Sequence, residues 1–433
     1  MVQGGLQCIW NSLIRMCYML NALKQITQTI FVCRPDMMAP FNNKTQKVVH
    51  LLALCALVSL SSVTGCAEKK EAAACITARI DLSQKKVLSL ADFVERMELI
   101  PLDSRTEALI SNQTASFVVY DEGYMFVDRR EGGIKVFNRD GTYVGTIDKT
   151  GRGPGEFIGG IALFVDTADS TLQVLTPSRG VYIYSLHEKY PFVGNVEVKD
   201  KVPAIHHFLP LGNGRYLLFS ASAESRVYLY QEPDNVIHEY FREIPRWFSL
   251  SPYYDFVQQP PFYRLGGDVF FYTGYDGSIY RFDSDAETFE PYFSWDFGNH
   301  TFPMDRMDES EVSIKDPAWK QRYDELSKQY VLRVSRVCET SRFIIAGAYY
   351  KGQSVTLLYD KEKREGSYFD TTKEGLRFYA SFAKEDACYV LLSPDNLPLY
   401  VSRDLLSDSN SISLLNSIKQ DSNSILLRYV LKK

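Results

Sequence analysis

Three observations predict an all-β fold, a six-bladed β-propeller of four-stranded antiparallel blades with an N-terminal strand closing the last blade and small helical insertions. The first is a short apolar run that recurs six times. It reads YMFVD at 124–128, LQVLT at 172–176, YLLFS at 216–220, VFFYT at 269–273, FIIAG at 343–347 and CYVLL at 388–392, with starts 48, 44, 53, 74 and 45 residues apart. Each run is apolar on both faces and bounded by turn residues, as a strand buried between neighbouring sheets must be. The second is GRGPGEF at 151–157. Its three glycines and one proline cannot continue a strand, because Pro154 lacks the ladder N–H and glycine tolerates positive φ, so the chain leaves one sheet there and enters another. The third is a strand deficit at one end of the chain and a surplus at the other. After the sixth apolar run only 424–431 (SILLRYVL) reads as a strand, while 97–102 (MELIPL) is a strand with no blade of its own. Placing 97–102 at the outer edge of blade six closes the ring and removes an exposed edge.

The remaining strands follow in order. An alternating run comes after five of the apolar ones, at 134–138, 181–185, 227–231, 279–283 and 355–359. NRDG at 138–141 is a hairpin turn signal closing the first of them. The inner strands are read at 115–121, 160–166, 204–210, 261–266, 332–338 and 376–382. Tyrosine (28) and phenylalanine (26) are abundant, which suits β structure.

The N-terminal region sets the cellular address. Lys44, Lys47 and His50 lead into an apolar run over 48–63, too short to span a bilayer comfortably but suited to a signal peptide core. The run ends in VTGC at 63–66. That ending resembles the lipobox of bacterial lipoproteins, which implies that residues 37–65 are a signal peptide cut before a lipidated Cys66; the alternative is an ordinary signal peptide in which Cys66 is incidental. Met37 and Met38 stand just upstream of the basic lead, so residues 1–36 read as a mis-called extension, with a real amphipathic segment around 13–30 as the alternative. Residues 66–86, rich in Ala, Glu and Lys without apolar period, read as a flexible tether, and 87–433 as the propeller. Five Lys and Arg and one acid precede Cys66, which leaves 43 of the 48 bases and 52 of the 53 acids after it, a net charge of −9. That acidity disfavours nucleic acid as a partner. Past the leader only Cys66, Cys75, Cys338 and Cys388 remain, in no metal-type spacing, so no disulfide framework and no metal are expected. Cys338 and Cys388 read as small buried hydrophobes.

The VTGC box, the MELIPL strand, the YMFVD repeat and GRGPGEF together resemble the six-bladed β-propeller lipoproteins of Bacteroidetes envelopes. The similarity covers roughly 66–433. It implies the propeller and an envelope location, anchored by lipid on either face of the outer membrane, and it is nearly silent on activity because that family is largely uncharacterised.

Strand parity places the connections between blades on the same face as the turn between the second and third strand of each blade. GRGPGEF, the 299–330 segment and the 393–423 insertion all fall on that face. In 299–330, Asp316-Pro317 reads as a helix N-cap with proline at the first helical position, and Trp319, Tyr323, Leu326 and Tyr330 make one apolar stripe. That helix either packs on the propeller or lids the channel mouth. A second helix is expected around 412–418. His206 and His207 are adjacent on a strand, face opposite ways and cannot chelate one metal together.

Candidate ligand-binding residues gather on the same face. Trp247, Phe248, Tyr253, Tyr254 and Phe256 crowd one connection, either as inter-blade packing or as flat platforms for sugar rings. Arg129, Arg130, Arg179 and Arg152, with Glu156, offer bidentate contacts to a carboxylate or phosphate, or else tie loops together. Trp319 joins them on the helix. GRGPGEF lacks the spacing of a dinucleotide or phosphate-loop fingerprint and leads into a strand. No hydrolase or zinc-protease motif is present, and no cofactor is expected. The leading expectation is a lipid-anchored envelope protein that binds a ligand or partner, a glycan or an envelope protein, on its decorated face. The competing expectations are an enzyme (hydrolase, lyase or lactonase) with its site at the channel mouth and a structural subunit of an envelope complex.

Overall fold

The structure, a computed structural model, describes residues 75–110, 114–128, 133–176, 180–187, 189–198, 202–232, 235–245, 248, 260–308, 310, 315–406 and 408–433. Two strands come first, β1 (Ile76–Arg79) and β2 (Val94–Pro101). Blade one is β3 (Thr114–Tyr120), β4 (Gly123–Asp128), β5 (Ile134–Asn138) and β6 (Tyr143–Ile147). Blade two is β7 (Ala162–Asp166), β8 (Thr171–Leu175), β9 (Gly180–Ser185) and β10 (Phe192–Glu197). Blade three is β11 (Ile205–Gly212), β12 (Arg215–Ser220), β13 (Val227–Gln231) and β14 (Asn235–Tyr240). Blade four is β15 (Phe262–Leu265), β16 (Asp268–Tyr272), β17 (Ile279–Asp283) and β18 (Thr288–Asp296). Blade five is β19 (Leu332–Glu339), β20 (Phe343–Tyr350), β21 (Gln353–Asp360) and β22 (Glu365–Phe369). Blade six holds β23 (Phe382–Lys384), β24 (Ala387–Leu392) and β25 (Ile425–Leu431).

Within each of blades one to five these strands pair antiparallel in chain order. Blade six takes its fourth strand from the N-terminus. β2 runs antiparallel to β25, from Val94 opposite Leu431 to Pro101 opposite Ile425, as the strand deficit predicts. Six apolar clusters fill the six interfaces between neighbouring blades, and one of them joins Phe126 and Phe137 of blade one to Tyr389 and Leu426 of blade six and Ile100 of β2. This explains why the repeating strand is apolar on both faces. In β20, Phe343 and Ile345 pack toward blade six, while Ile344 and Ala346 pack toward blade four. Neither face meets water, so the period-two alternation of a half-exposed strand is erased.

Three expectations are corrected. The tether does not extend to Lys86, because β1 adds to blade four as a fifth strand, parallel to β18, with Ile76 opposite Phe293 and Arg79 opposite Asp296. Ala78, Ile80 and Leu82 are buried with it. The chain then runs along the outer edge of blade five before entering β2. Ile80 sits over Gly366, whose missing side chain leaves room for it. Tyr368 donates from its hydroxyl to the Leu82 carbonyl at 3.1 Å.

The inner strand of blade six is the second correction. It spans Phe382–Lys384 rather than 376–382. Residues before it leave the ladder: the Arg377 N–H bonds instead to the Leu399 carbonyl in the blade six insertion, at 2.7 Å. The third concerns α1 (Trp319–Gln329), whose N-cap is Ala318. Asp316 and Pro317 form a turn ahead of it, in which the Asp316 carboxylate accepts the Ala318 N–H at 2.9 Å. The second helix, α2 (Ser409–Ser417), is capped by Asp408, which accepts the Ser411 N–H.

Candidate functional site

Strand direction places the connection between blades five and six on the same face as the β20–β21 turn. A cavity of about 630 Å³ opens there, walled by β19, β20 and the β20–β21 turn on one side and by residues 370–380 on the other. Residues 376–380 have no strand structure, and Arg377, Phe378, Tyr379 and Ala380 among them line one side of this space.

Three arginines line this space, Arg333 and Arg336 from β19 and Arg377 from the opposite wall. The backbone of β19 explains how the first two come to point into it. Between the pairs Leu332–Tyr349 and Ser335–Gly347, β19 advances three residues while β20 advances two. The same happens between Ser335–Gly347 and Cys338–Ile345. These are two successive one-residue bulges, and each contains an arginine with left-handed backbone, Arg333 at φ 50° and Arg336 at φ 58°. A bulge re-aims a side chain that regular alternation would send elsewhere. Left-handed backbone at a bulky residue costs on the order of 1–3 kcal/mol each, and such strain collects at ligand clamps.

An aromatic neighbour holds Arg336. The Arg336 guanidinium lies 4.9 Å from the centre of the Tyr379 ring and donates to the Tyr379 hydroxyl at 2.5 Å. Tyr349 lines the cavity beside Arg333, and its hydroxyl donates to Asp324 of α1 at 3.2 Å. Burial and the Asp324 carboxylate push the Tyr349 hydroxyl above its ordinary value, against the pull of Arg333, so it stays protonated. α1 braces this wall: Tyr323 stacks on Tyr349 with ring centres 5.1 Å apart, and Ser327 accepts the Gly352 N–H of the β20–β21 turn at 3.1 Å.

Among the described residues lining the cavity, Asp370 is the one carboxylate. Lys85 forms an ion pair with it, Gln353 donates to it at 3.1 Å, and the Thr371 N–H donates to it at 2.5 Å. Burial alone would raise its carboxyl, but the bonds from Lys85 and Thr371 outweigh that and hold it below the usual range. With Asp370 compensated from outside, the cavity presents three arginines to whatever enters.

Of the candidate binding residues singled out in the sequence, Arg152, Glu156, Phe248 and Trp319 lie among those described, and none of them lines the cavity; Phe248 is fully buried in the cluster between blades three and four. Glu156 folds back within its own turn and accepts the Gly153 N–H at 2.8 Å. Arg152 is exposed beside it. Trp319 packs partly buried against the apolar cluster between blades three and four. Cys66, Arg129, Arg130, Arg179, Trp247, Tyr253, Tyr254 and Phe256 lie outside the described residues. His206 stands at a register shift between Ile205 and His207 rather than in regular alternation. The His206 Nδ1 accepts the Ala221 N–H at 3.2 Å, whereas His207 is buried against Phe219. Among the described residues no group of three or more His, Cys, Asp or Glu is placed to hold a metal ion.

A signal for the cavity was present in the sequence. Arg333 and Arg336 stand three apart in an inner strand, LRVSRV, that should be apolar on both faces. A spacing of three cannot put two side chains on one face of a regular strand, so the pair announces either a bulge or two buried charges.

Residues 75–429 match the family described as a domain of unknown function, DUF4934, and the chain belongs to that family. Among solved structures it is similar to an exported protein of Bacteroides fragilis. That similarity has 20% identity over 83% of this chain and 99% of that one, with a TM-score of 0.63. It is also similar, at 9% identity over 78% of this chain and 98% of that one and a TM-score of 0.45, to a DUF4221-family protein of Bacteroides vulgatus. No curated protein matches the chain.

Proposed function

We propose an exported binding protein that holds a small anionic ligand in the cavity between blades five and six. The observation that carries the reading is the double bulge of β19, which spends backbone strain to aim Arg333 and Arg336 into a space faced by Arg377. Arginines lining one cavity suit a carboxylate, sulfate or phosphate, which guanidinium groups bind with paired hydrogen bonds. Tyr349, Tyr379 and Tyr400 add ring surface to the same cavity, which favours an acidic sugar within that class. The leader and Cys66 supply the address: the protein is exported and tethered to the envelope by lipid at Cys66, with the cavity on the face that carries the loops.

Calorimetric titration with citrate, sulfate, galacturonate and neutral galactose tests this. The acids bind and galactose does not, and Arg336→Ala or Arg377→Ala weakens the acids about 10- to 100-fold, as expected for a charged hydrogen bond. Equal binding of galactose and galacturonate, or acid affinity indifferent to both substitutions, would sink the reading. Membrane fractionation of Cys66→Ala tests the anchor, since unchanged fractionation contradicts it.

A further inference from the structure

The N-terminal strap, from β1 to the turn before β2, is bonded to residues 370–374, just ahead of the segment that forms the far wall of the cavity. The Lys373 N–H donates to the Leu88 carbonyl at 2.7 Å, the Glu374 carboxylate accepts the Ser89 hydroxyl and the Leu90 N–H, and Lys85 pairs with Asp370. Asp370 and Thr371 line the cavity, and residues 373–374 lead on to the lining stretch 377–380, so the strap grips the segment that carries both.

We propose that this strap is a working part of the binding site, with Lys85 setting its charge and the grip on 370–375 setting its shape. This rests on the reading of the cavity as an anion site. The electrostatic argument is direct. Asp370 lines the cavity, and without its partner it would oppose an incoming anion at short range in a partly desolvated space, where opposition between charges is stronger than in water. Lys85 comes from the outside, its own side chain 43% exposed, and cancels that charge. Linkage then makes the effect reciprocal: if the docked strap strengthens anion binding, a bound anion must hold the strap down by the same factor.

The experiment uses citrate at low ionic strength on the purified protein. Lys85→Met weakens citrate about tenfold, a coupling of ordinary size, and adding Asp370→Asn in that background restores the affinity to within about twofold of the parent. In the unmodified protein, citrate slows hydrogen exchange over 80–88. That readout does not depend on whether any variant folds, and melting temperatures of the variants separate a lost charge from a lost strap. Suppose the parent binds citrate through Arg333 and Arg336, yet Lys85→Met binds it equally well and exchange over 80–88 is unchanged. The strap proposal is then overturned and the anion site survives. If the parent binds none of the acids, the anion site falls and this proposal with it.

Discussion

Two left-handed stretches of this chain look alike in backbone angles and differ in what occupies them. In the connection between blades one and two, Gly155 takes φ 73°, and a side-chain carbon there would fall 2.6 Å from the Phe192 ring. The Tyr184 hydroxyl caps its carbonyl at 2.8 Å, and Phe157 two residues on is buried between blades one and two. Glycine adopts this conformation at no steric cost, so the turn simply gets the chain from one sheet to the next. In β19 the same region of backbone space is occupied by Arg333 and Arg336. There the conformation is strained, and glycine would relieve it. The difference teaches where to look for function: a costly residue at a place where a cheap one would serve is kept for its side chain.

The largest effect sharpens the comparison by fixing the scale of what neither turn supplies, the closure of the ring. Met97 of β2 is fully buried between blades five and six, and Met97→Ala should cost about 2–5 kcal/mol in denaturant unfolding. A cost below about 1 kcal/mol would mean that β2 is an ornament and the ring is closed otherwise. Next comes Gly155→Ala, which combines positive φ with the collision at Phe192 and should cost about 2 kcal/mol. Its ligand binding should stay as in the parent, because this turn is structural. A change in citrate affinity there would break the comparison from the other side.

Much of the fold was legible because a propeller repeats itself. The second and third strands of blades one to five stand within a few residues of where their apolar runs predict them, and the orphan at 97–102 announced the closure. Two of the three differences share a physical cause, a partner outside the local stretch of sequence. β1 has no hairpin partner and pairs with β18, more than 200 residues later, so nothing local marks ITAR as a strand. The inner strand of blade six is displaced by hydrogen bonds to an insertion that follows it. The start of α1 was misjudged locally, since Asp316 and Pro317 suit a tight turn as well as a first helical turn. The candidate site was hardest. The sequence points to the face that carries the blade connections, but the arginines it offers there are those in turns. Arg333 and Arg336 lie in a strand, and only the bulges that re-aim them show where they point.

Arg333→Gly, followed by thermal melting and citrate titration on the same sample, tests the central claim most directly. Relief of the left-handed strain at φ 50° should leave the melting temperature unchanged or raise stability by about 1 kcal/mol, while citrate binding falls by about tenfold or more. A variant that melts earlier and binds citrate like the parent would show that Arg333 holds the blade together, and the cavity would lose its claim to be the site.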